Sequence, residues 1–105
     1  MRKGVKPRGR WEIIYDILRE TAEEEKAGEG TAKKTRIMQG AYLDWRNFQR
    51  HFEFLLDGGF IDCPEGEDCY YLTEEGINLL KQLGEVNDIL KRPTTPSKNS
   101  FGRQV

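Results

Sequence analysis

The chain has 105 residues and a formal net charge of −1; 36% of its residues are hydrophobic and 33% are charged. This length predicts a single domain, and the low hydrophobic fraction predicts a thin core under a large solvated surface. No apolar run approaches the roughly 20 residues needed to span a bilayer, and no signal peptide is visible. We therefore expect a cytoplasmic protein with no membrane partner.

The charged residues are divided unevenly along the chain. Residues 1–51 hold 12 Lys and Arg against 8 Asp and Glu, whereas residues 52–105 hold 5 against 10. A basic first half is compatible with a localised DNA-binding surface. A scatter of charges without such a role is the alternative.

The first segment, residues 1–8, is basic and contains no acid. Because it also contains Gly4 and Pro7, which discourage a helix, we expect a flexible basic arm. Such an arm either lies along DNA phosphates or acts as a solubilising tail.

Residues 9–27 show helical spacing of apolar side chains and predict the first helix. Its inward stripe is Trp11, Ile14, Ile17, Leu18 and Thr21. The acids near its end, from Glu20 to Glu25, point in different directions around a helix. They indicate a solvated face rather than a catalytic carboxylate cluster.

After a glycine loop, residues 31–34 are predicted as a short strand that pairs with a hairpin farther along the chain. Residues 35–40 are predicted as a short helix, capped by Thr35 and ended by Gly40. Basic side chains at the start of this helix can bind backbone phosphates together with its free N–H groups. They are Lys33, Lys34 and Arg36.

A longer helix is predicted at residues 44–57, and it has two opposed faces. Asp44 is the expected N-cap, and Gly58-Gly59 ends the helix because glycine accepts the left-handed conformation of such a stop. The apolar face, directed to the core, consists of Trp45, Phe48, Phe52, Leu55 and Leu56.

The polar face of this helix and the basic start of the preceding one together predict a DNA-binding surface. Cationic and amide side chains can contact phosphates and base edges. The candidate DNA-binding residues are Lys33, Lys34, Thr35, Arg36, Trp45, Arg46, Asn47, Gln49 and Arg50. Trp45 lies at the boundary of the apolar face, so a place near DNA and a simple core position both stay open.

A β-hairpin is predicted with strands at residues 60–63 and 69–72. Its turn holds Glu65, Glu67 and Asp68 and no basic residue. Because acids next to phosphates repel, we expect this hairpin to complete the fold without touching DNA. The flanking Cys63 and Cys69 are either reduced thiols or a cross-strand disulfide.

No catalytic, metal or cofactor site is predicted. The two cysteines do not complete a four-ligand zinc site, and His51, the single histidine, would supply only a third ligand. No phosphate-binding glycine loop, nucleophile elbow or metalloprotease motif is present. We expect neither enzymatic activity nor a small-molecule substrate.

Residues 73–92 predict a C-terminal helix capped by Thr73. Ile77 and Leu80 are expected to pack on the domain. A second stripe has heptad spacing and predicts dimerisation through this helix. Its members are Leu79, Leu83, Val86 and Leu90. In the alternative, Leu79 and Leu83 fold back onto the first helix and leave a monomer.

Several segments, in order, resemble the archaeal winged helix-turn-helix family of small DNA-binding regulators. The matching segments are Gly9–Leu18, Lys34–Met38, Leu43–Arg46, Phe54–Ile61 and Tyr70–Gly76. The resemblance spans roughly residues 8–90. It implies a helix-turn-helix followed by a hairpin "wing". In chromatin-type members the last helix pairs with its copy in an antiparallel coiled coil, which implies a homodimer here.

The sequence thus predicts a mainly α protein with a small β-hairpin (α+β) and a winged helix-turn-helix fold. Residues 9–72 form the domain, residues 73–92 the C-terminal helix and residues 93–105 a disordered tail. We expect a transcriptional regulator that binds double-stranded DNA through the helix at 44–57, as a homodimer. The alternative is a winged-helix protein–protein interaction module that does not bind DNA, which neutralisation of the basic residues by Glu53 and Asp57 would favour.

Overall fold

The computed structural model describes residues 8–91, and this part of the chain folds into four helices and a two-stranded hairpin. The helices are α1 (Arg10–Ala27), α2 (Lys34–Gly40), α3 (Trp45–Asp57) and α4 (Glu74–Lys91). The strands are β1 (Ile61–Asp62) and β2 (Tyr71–Leu72). This is the predicted α+β class, in the element order of a winged helix-turn-helix.

The first helix, α1, runs through the centre of the domain. It begins one residue later than predicted, after the Gly9 N–H donates to Glu12 Oε1 at 2.7 Å. Ile14, Ile17 and Leu18 are fully buried because they recur on one face of the helix. Trp11 was expected on the same stripe but is 54% exposed. It lies in the first turn, where its ring packs edge-on against Phe54 instead.

Stacked aromatic side chains connect α3 to the wing. The rings of Phe48 and Phe52, both fully buried, stack with their centroids 4.9 Å apart. Phe52 in turn meets the Tyr70 ring edge-on at 4.9 Å. The predicted apolar face of α3 therefore forms the core and fixes the orientation of its polar face.

The wing is shorter than the sequence predicts. Ile61 pairs with Leu72 and Asp62 with Tyr71, so each strand has two residues rather than four. The strand predicted at residues 31–34 is reduced to one bridge, in which Ala32 and Tyr70 exchange N–H to carbonyl bonds of 2.7 and 2.8 Å.

A carboxylate from α1 supports the outer edge of β2. The Leu72 N–H donates to Glu25 Oε2 at 2.7 Å. Partial burial of Glu25 raises the pKa of its carboxyl above the ordinary value, although this hydrogen bond acts in the opposite direction. The contact fixes the end of α1 against the wing.

The last helix, α4, packs on the domain through a face that includes Leu80, as predicted, but not Ile77. The Gly76 N–H donates to Thr73 Oγ1 at 3.1 Å, which confirms Thr73 as the cap. Gly76 is buried, and the inward face continues through Leu79, Leu80 and Leu83. Ile77 was expected on the core but is 44% exposed. Its place is taken by Gly76, since α4 lies so close to the wing that no side chain fits there.

Within residues 8–91, no helix is long and apolar enough to cross a membrane. The predicted tail at 93–105 and most of the predicted basic arm lie outside the described residues.

Candidate nucleic-acid interface

The polar face of α3 is positioned by its N-terminal cap. Asp44 Oδ1 accepts the Asn47 N–H at 2.8 Å, and Oδ2 accepts the Asn47 side-chain amide at 3.1 Å. The bond from the Asn47 backbone lowers the pKa of Asp44. The predicted cap is thus confirmed, and it engages the donor group of Asn47, one of the candidate DNA-binding residues.

Two arginines project from the outer face of α3 without an acidic partner. Arg46 and Arg50 are exposed. In the described part of the chain, no carboxylate lies within 4.0 Å of either guanidinium. Together with Trp45, Gln49 and Glu53 they line an open depression of about 380 Å³.

Gln49, which also lines this depression, makes an internal side-chain hydrogen bond. Its Nε2 donates to Glu53 Oε2 at 2.9 Å, so Glu53 bonds to an amide rather than to a neighbouring arginine. The Gln49 carbonyl oxygen is buried and has no hydrogen-bond partner among residues 8–91. A buried acceptor left without a donor is costly, and the side chain must rotate before this oxygen can meet a donor from a bound molecule.

The start of α2 differs in detail from the prediction. The helix begins at Lys34, so its N-cap is Lys33 and not Thr35. Lys33 and Thr35 are exposed. Arg36 Nε lies 3.4 Å from Glu24 Oε1, so an acid of α1 partners this cation.

Lys34 bridges α2 and α3. Its ammonium lies 5.0 Å from the ring centroid of Trp45 and 5.4 Å from that of Phe52. Both distances fall within the range of a cation–π interaction. Trp45 is 56% exposed, at the boundary of the core as predicted, with its ring 6.5 Å from that of Phe48. Lys34 therefore holds the tryptophan at the edge of the α3 face.

The turn between α2 and α3 contains two features that the sequence analysis missed. The left-handed residue that ends α2 is Tyr42, with φ 56°, and not Gly40, which is the last helical residue. Tyr42 is 88% exposed. Gly40 instead lies close to α1, where a Cβ on this residue would collide with the Glu20 side chain. The sequence offered Gly40 as the local signal for the stop, and no local signal marks Tyr42.

Arg8 fastens this turn to α1. Its Nη1 donates to Asp16 Oδ2 at 2.5 Å and to the Ala41 carbonyl at 2.9 Å, and its Nη2 donates to the Tyr42 carbonyl at 3.0 Å. Arg8 was expected in the flexible arm at residues 1–8, and this part of the prediction is wrong. The three hydrogen bonds offset the conformational entropy that the Arg8 side chain loses when it is ordered, so the guanidinium is fixed here.

The tip of the wing is acidic, as its sequence requires, and its cysteines are free thiols. Cys63 Sγ donates to the Glu67 carbonyl at 3.0 Å, and Cys69 Sγ to Glu67 Oε1 at 3.2 Å. The open choice between thiols and a disulfide is thus resolved for thiols. His51 is buried, and its Nδ1 donates to the Asn47 carbonyl at 2.7 Å, in a packing role. Among residues 8–91, no three His, Cys, Asp or Glu side chains are grouped to hold a metal ion.

The predicted dimerisation stripe on α4 is divided between the core and the surface. Leu79 and Leu83 are half-buried against the core. Val86 and Leu90 are 51% and 76% exposed, and Ile89, which the sequence analysis missed, is 59% exposed. A small apolar cavity of about 50 Å³ lies where this half of α4 meets α1. Its apolar lining residues are Trp11, Tyr15, Leu83, Val86 and Leu90.

Comparisons with known proteins agree with this geometry. Residues 7–91 match a family described as winged helix-turn-helix. An uncharacterised protein of Methanocaldococcus jannaschii is 39% identical over 83 residues, which are 79% of this chain and 77% of the relative. A second uncharacterised protein of that archaeon is 39% identical over 74 residues, 70% of this chain and 31% of the relative.

One solved structure is also similar. It is the crystal structure of Sso10a-2, described as a DNA-binding protein from Sulfolobus solfataricus. The two folds superpose with a TM-score of 0.65 at 28% sequence identity, and the match covers 80% of this chain and 83% of that one.

Proposed function

The chain belongs to the winged helix-turn-helix family, and from this premise we propose that it binds double-stranded DNA through the outer face of α3. In this proposal α3 enters the major groove, whose width admits a helix. Lys33 contacts the backbone beside it, and the acidic wing stays away from the phosphates. Since a similar structure is that of a DNA-binding protein, the family relationship supports the same ligand class.

The observation that carries the proposal is the pair of unpartnered arginines on α3. Neutralisation by Glu53 or Asp57 would have favoured a protein–protein module. Neither acid lies within ion-pair distance of Arg46 or Arg50 in the described residues. Two exposed guanidiniums, four residues apart on one helix, present donors to phosphates and to guanine edges on the same side.

Gln49 supports a role in reading bases as well as phosphates. A glutamine side chain pairs with adenine by accepting from N6 and donating to N7. The carbonyl oxygen of Gln49 has no partner in the described chain, and its amide nitrogen could exchange the bond to Glu53 for one to a base. Base reading of this kind would suit a transcriptional regulator, and we propose that role rather than an enzymatic one.

We propose further that the protein is a homodimer through the C-terminal half of α4. A lone winged helix makes few contacts, and two half-sites add affinity and specificity. Val86, Ile89 and Leu90 form the exposed apolar surface available for this contact. Leu79 and Leu83, also predicted in the interface, would contribute from their half-buried positions. Exposed apolar clusters of this type often mark interfaces.

The test is a DNA-binding titration at several salt concentrations with Arg46→Gln and Arg50→Gln variants. Each variant should weaken binding by roughly five- to 150-fold, since a good arginine contact to a base contributes about 1–3 kcal/mol. The matched control is Arg19→Gln, because Arg19 is an exposed arginine of α1 near Asp16 and Glu20. Its binding should be unchanged. Wild-type protein that does not bind duplex DNA at low salt would favour the protein–protein module.

A further inference from the structure

Two helices of this domain end in the same hydrogen-bonded motif. At the end of α3 the Phe60 N–H donates to the Leu55 carbonyl at 2.9 Å, and the Gly59 N–H donates to the Leu56 carbonyl at 3.1 Å. This bond pair defines a Schellman motif, whose central residue is left-handed. That residue is Gly59, with φ 78°. Glycine is the residue that adopts this conformation without strain.

The end of α2 repeats the motif with a tyrosine in the glycine position. The Leu43 N–H donates to the Met38 carbonyl at 3.3 Å, and the Tyr42 N–H donates to the Gln39 carbonyl at 3.1 Å. Tyr42 has φ 56°, a region that residues with a Cβ rarely adopt and that Asn and Asp enter more readily than Tyr. The same chain therefore uses glycine at one such stop and a strained tyrosine at the other.

Folding gives no reason for a tyrosine at this position. The side chain is 88% exposed, and the hydrogen bonds that Tyr42 makes within the described part of the chain involve its backbone and not its hydroxyl. The turn itself is held from outside, since Arg8 donates to the carbonyls of Ala41 and Tyr42. Backbone strain that the surrounding structure maintains, at a residue whose side chain is almost fully exposed, points to a function of that side chain.

The position of Tyr42 in the chain indicates what its side chain contacts. It precedes the N-cap Asp44 by two residues and Arg46 by four, so it stands where the chain enters the proposed DNA-binding helix. We propose that Tyr42 is a DNA-backbone contact, whose hydroxyl donates to a phosphate oxygen next to the point where α3 enters the groove. Tyrosine hydroxyls are among the donors that bind DNA phosphates. This inference rests on the proposed function.

Tyr42→Phe and Tyr42→Gly are the informative variants, measured beside wild type on the same duplex. Phe keeps the ring and the strain and loses only the hydroxyl, whereas Gly also removes the strain. Loss of one hydrogen bond to a charged phosphate predicts roughly ten- to 150-fold weaker binding for both variants. The loss should be equal on different DNA sequences, since a phosphate carries no base identity. The melting temperature of Tyr42→Gly should equal or exceed that of wild type.

Salt dependence separates this neutral contact from a cationic one. Removal of a tyrosine hydroxyl releases no counterion, so the slope of log K against log salt should be unchanged in both variants. The matched control is Lys33→Ala on the neighbouring α2, which should reduce that slope by about one.

A scan of single methylphosphonate linkages identifies the phosphate directly. One linkage should weaken binding of wild type and leave binding of Tyr42→Phe unaffected. Wild-type affinity for Tyr42→Phe, whatever the behaviour of Tyr42→Gly, would overturn the assignment of the hydroxyl. Wild-type affinity for both variants would overturn not only the hydroxyl contact but any contribution of the Tyr42 side chain to DNA binding. In each of these cases wild type still binds DNA, which distinguishes them from failure of the proposed function.

Discussion

Two glycines of α4 should respond in opposite ways to the same substitution. Alanine is favoured over glycine inside a helix by about 1 kcal/mol. At Gly84 an added Cβ would lie 3.6 Å from Tyr15 Cε1, an ordinary contact. At Gly76 the same Cβ would overlap the carbonyl oxygen of Phe60 and lie 3.0 Å from its carbonyl carbon. Because the obstacle is backbone, a rotamer change cannot relieve it.

These environments set the expected magnitudes. Gly84→Ala should raise the free energy of unfolding by about 1 kcal/mol through helix propensity. Overpacking costs about 1–3 kcal/mol, and a backbone collision lies at the upper end. After the propensity gain, Gly76→Ala should lose about 2 kcal/mol. A domain of this size shifts its melting temperature by about 4 °C or more per kcal/mol. We therefore expect Gly84→Ala to melt about 4 °C higher and Gly76→Ala about 8 °C lower than wild type.

Thermal unfolding followed by circular dichroism measures both variants. The protein concentration must be held constant and then varied, because the proposed dimerisation would make the melting temperature depend on concentration. Each glycine serves as the control for the other, since both lie on one helix and gain the same methyl group. Shifts of the same sign in the two variants would refute the close approach of α4 to the wing.

Three further predictions concern charge and assembly. Burial raises the pKa of Glu25, so its ionised form opposes folding above the ordinary glutamate pKa of about 4.3. Glu25→Gln keeps an acceptor for the Leu72 N–H, so its stability relative to wild type should be equal at pH 3 and increase towards pH 7 in denaturant titrations. Glu53→Gln removes a negative charge from the proposed DNA surface and should strengthen binding, more at low salt than at high salt, whereas equal affinity would place Glu53 outside the interface. Replacing the exposed Val86 and Leu90 with Glu should give a folded monomer in sedimentation equilibrium, and a wild type already monomeric at hundreds of micromolar would contradict the dimer.

The sequence predicted the elements whose signals are local. The caps Asp44 and Thr73 and the stop at Gly58-Gly59 are residue types that act on their own helix ends, and all three are confirmed. The apolar face of α3 was predicted because its periodicity is strong, and its members Phe48, Phe52 and Leu55 form the core.

The errors occurred where distant contacts determine the structure. Ile77 was placed inward by its own pattern, but the approach of the wing carbonyl to Gly76 rotates α4 so that Ile77 faces outward. Arg8 was placed in a flexible arm because its partners at Asp16 and in the turn are 8 to 34 residues away. Arg36 was predicted as a DNA-binding cation for the same reason. Its partner Glu24 lies on another helix, where a local sequence pattern does not reveal it.

The internal contacts of the basic side chains also determine how strongly salt should weaken DNA binding. Arg36 is engaged by Glu24, and Lys34 lies over aromatic rings. Three cations per chain therefore remain available on the proposed DNA-binding surface, namely Lys33, Arg46 and Arg50. Each neutralised phosphate contributes roughly −0.9 to the slope of log K against log salt. We expect a slope of roughly −5 for a homodimer and roughly −3 for a monomer.

The measurement requires a variant in which the basic residues of segment 1–7 are replaced by Gln, so that they do not add to the slope. Their positions are Arg2, Lys3 and Lys6. A slope near −9 in that variant would mean that Arg36 and Lys34 exchange their internal partners for phosphates when DNA binds. The domain would then pay for part of its affinity with the contacts that join α2 to α1 and α3. If sedimentation shows that the bound protein is a dimer, a slope near −5 would show that those contacts persist, and that α3 carries most of the electrostatic attraction to DNA.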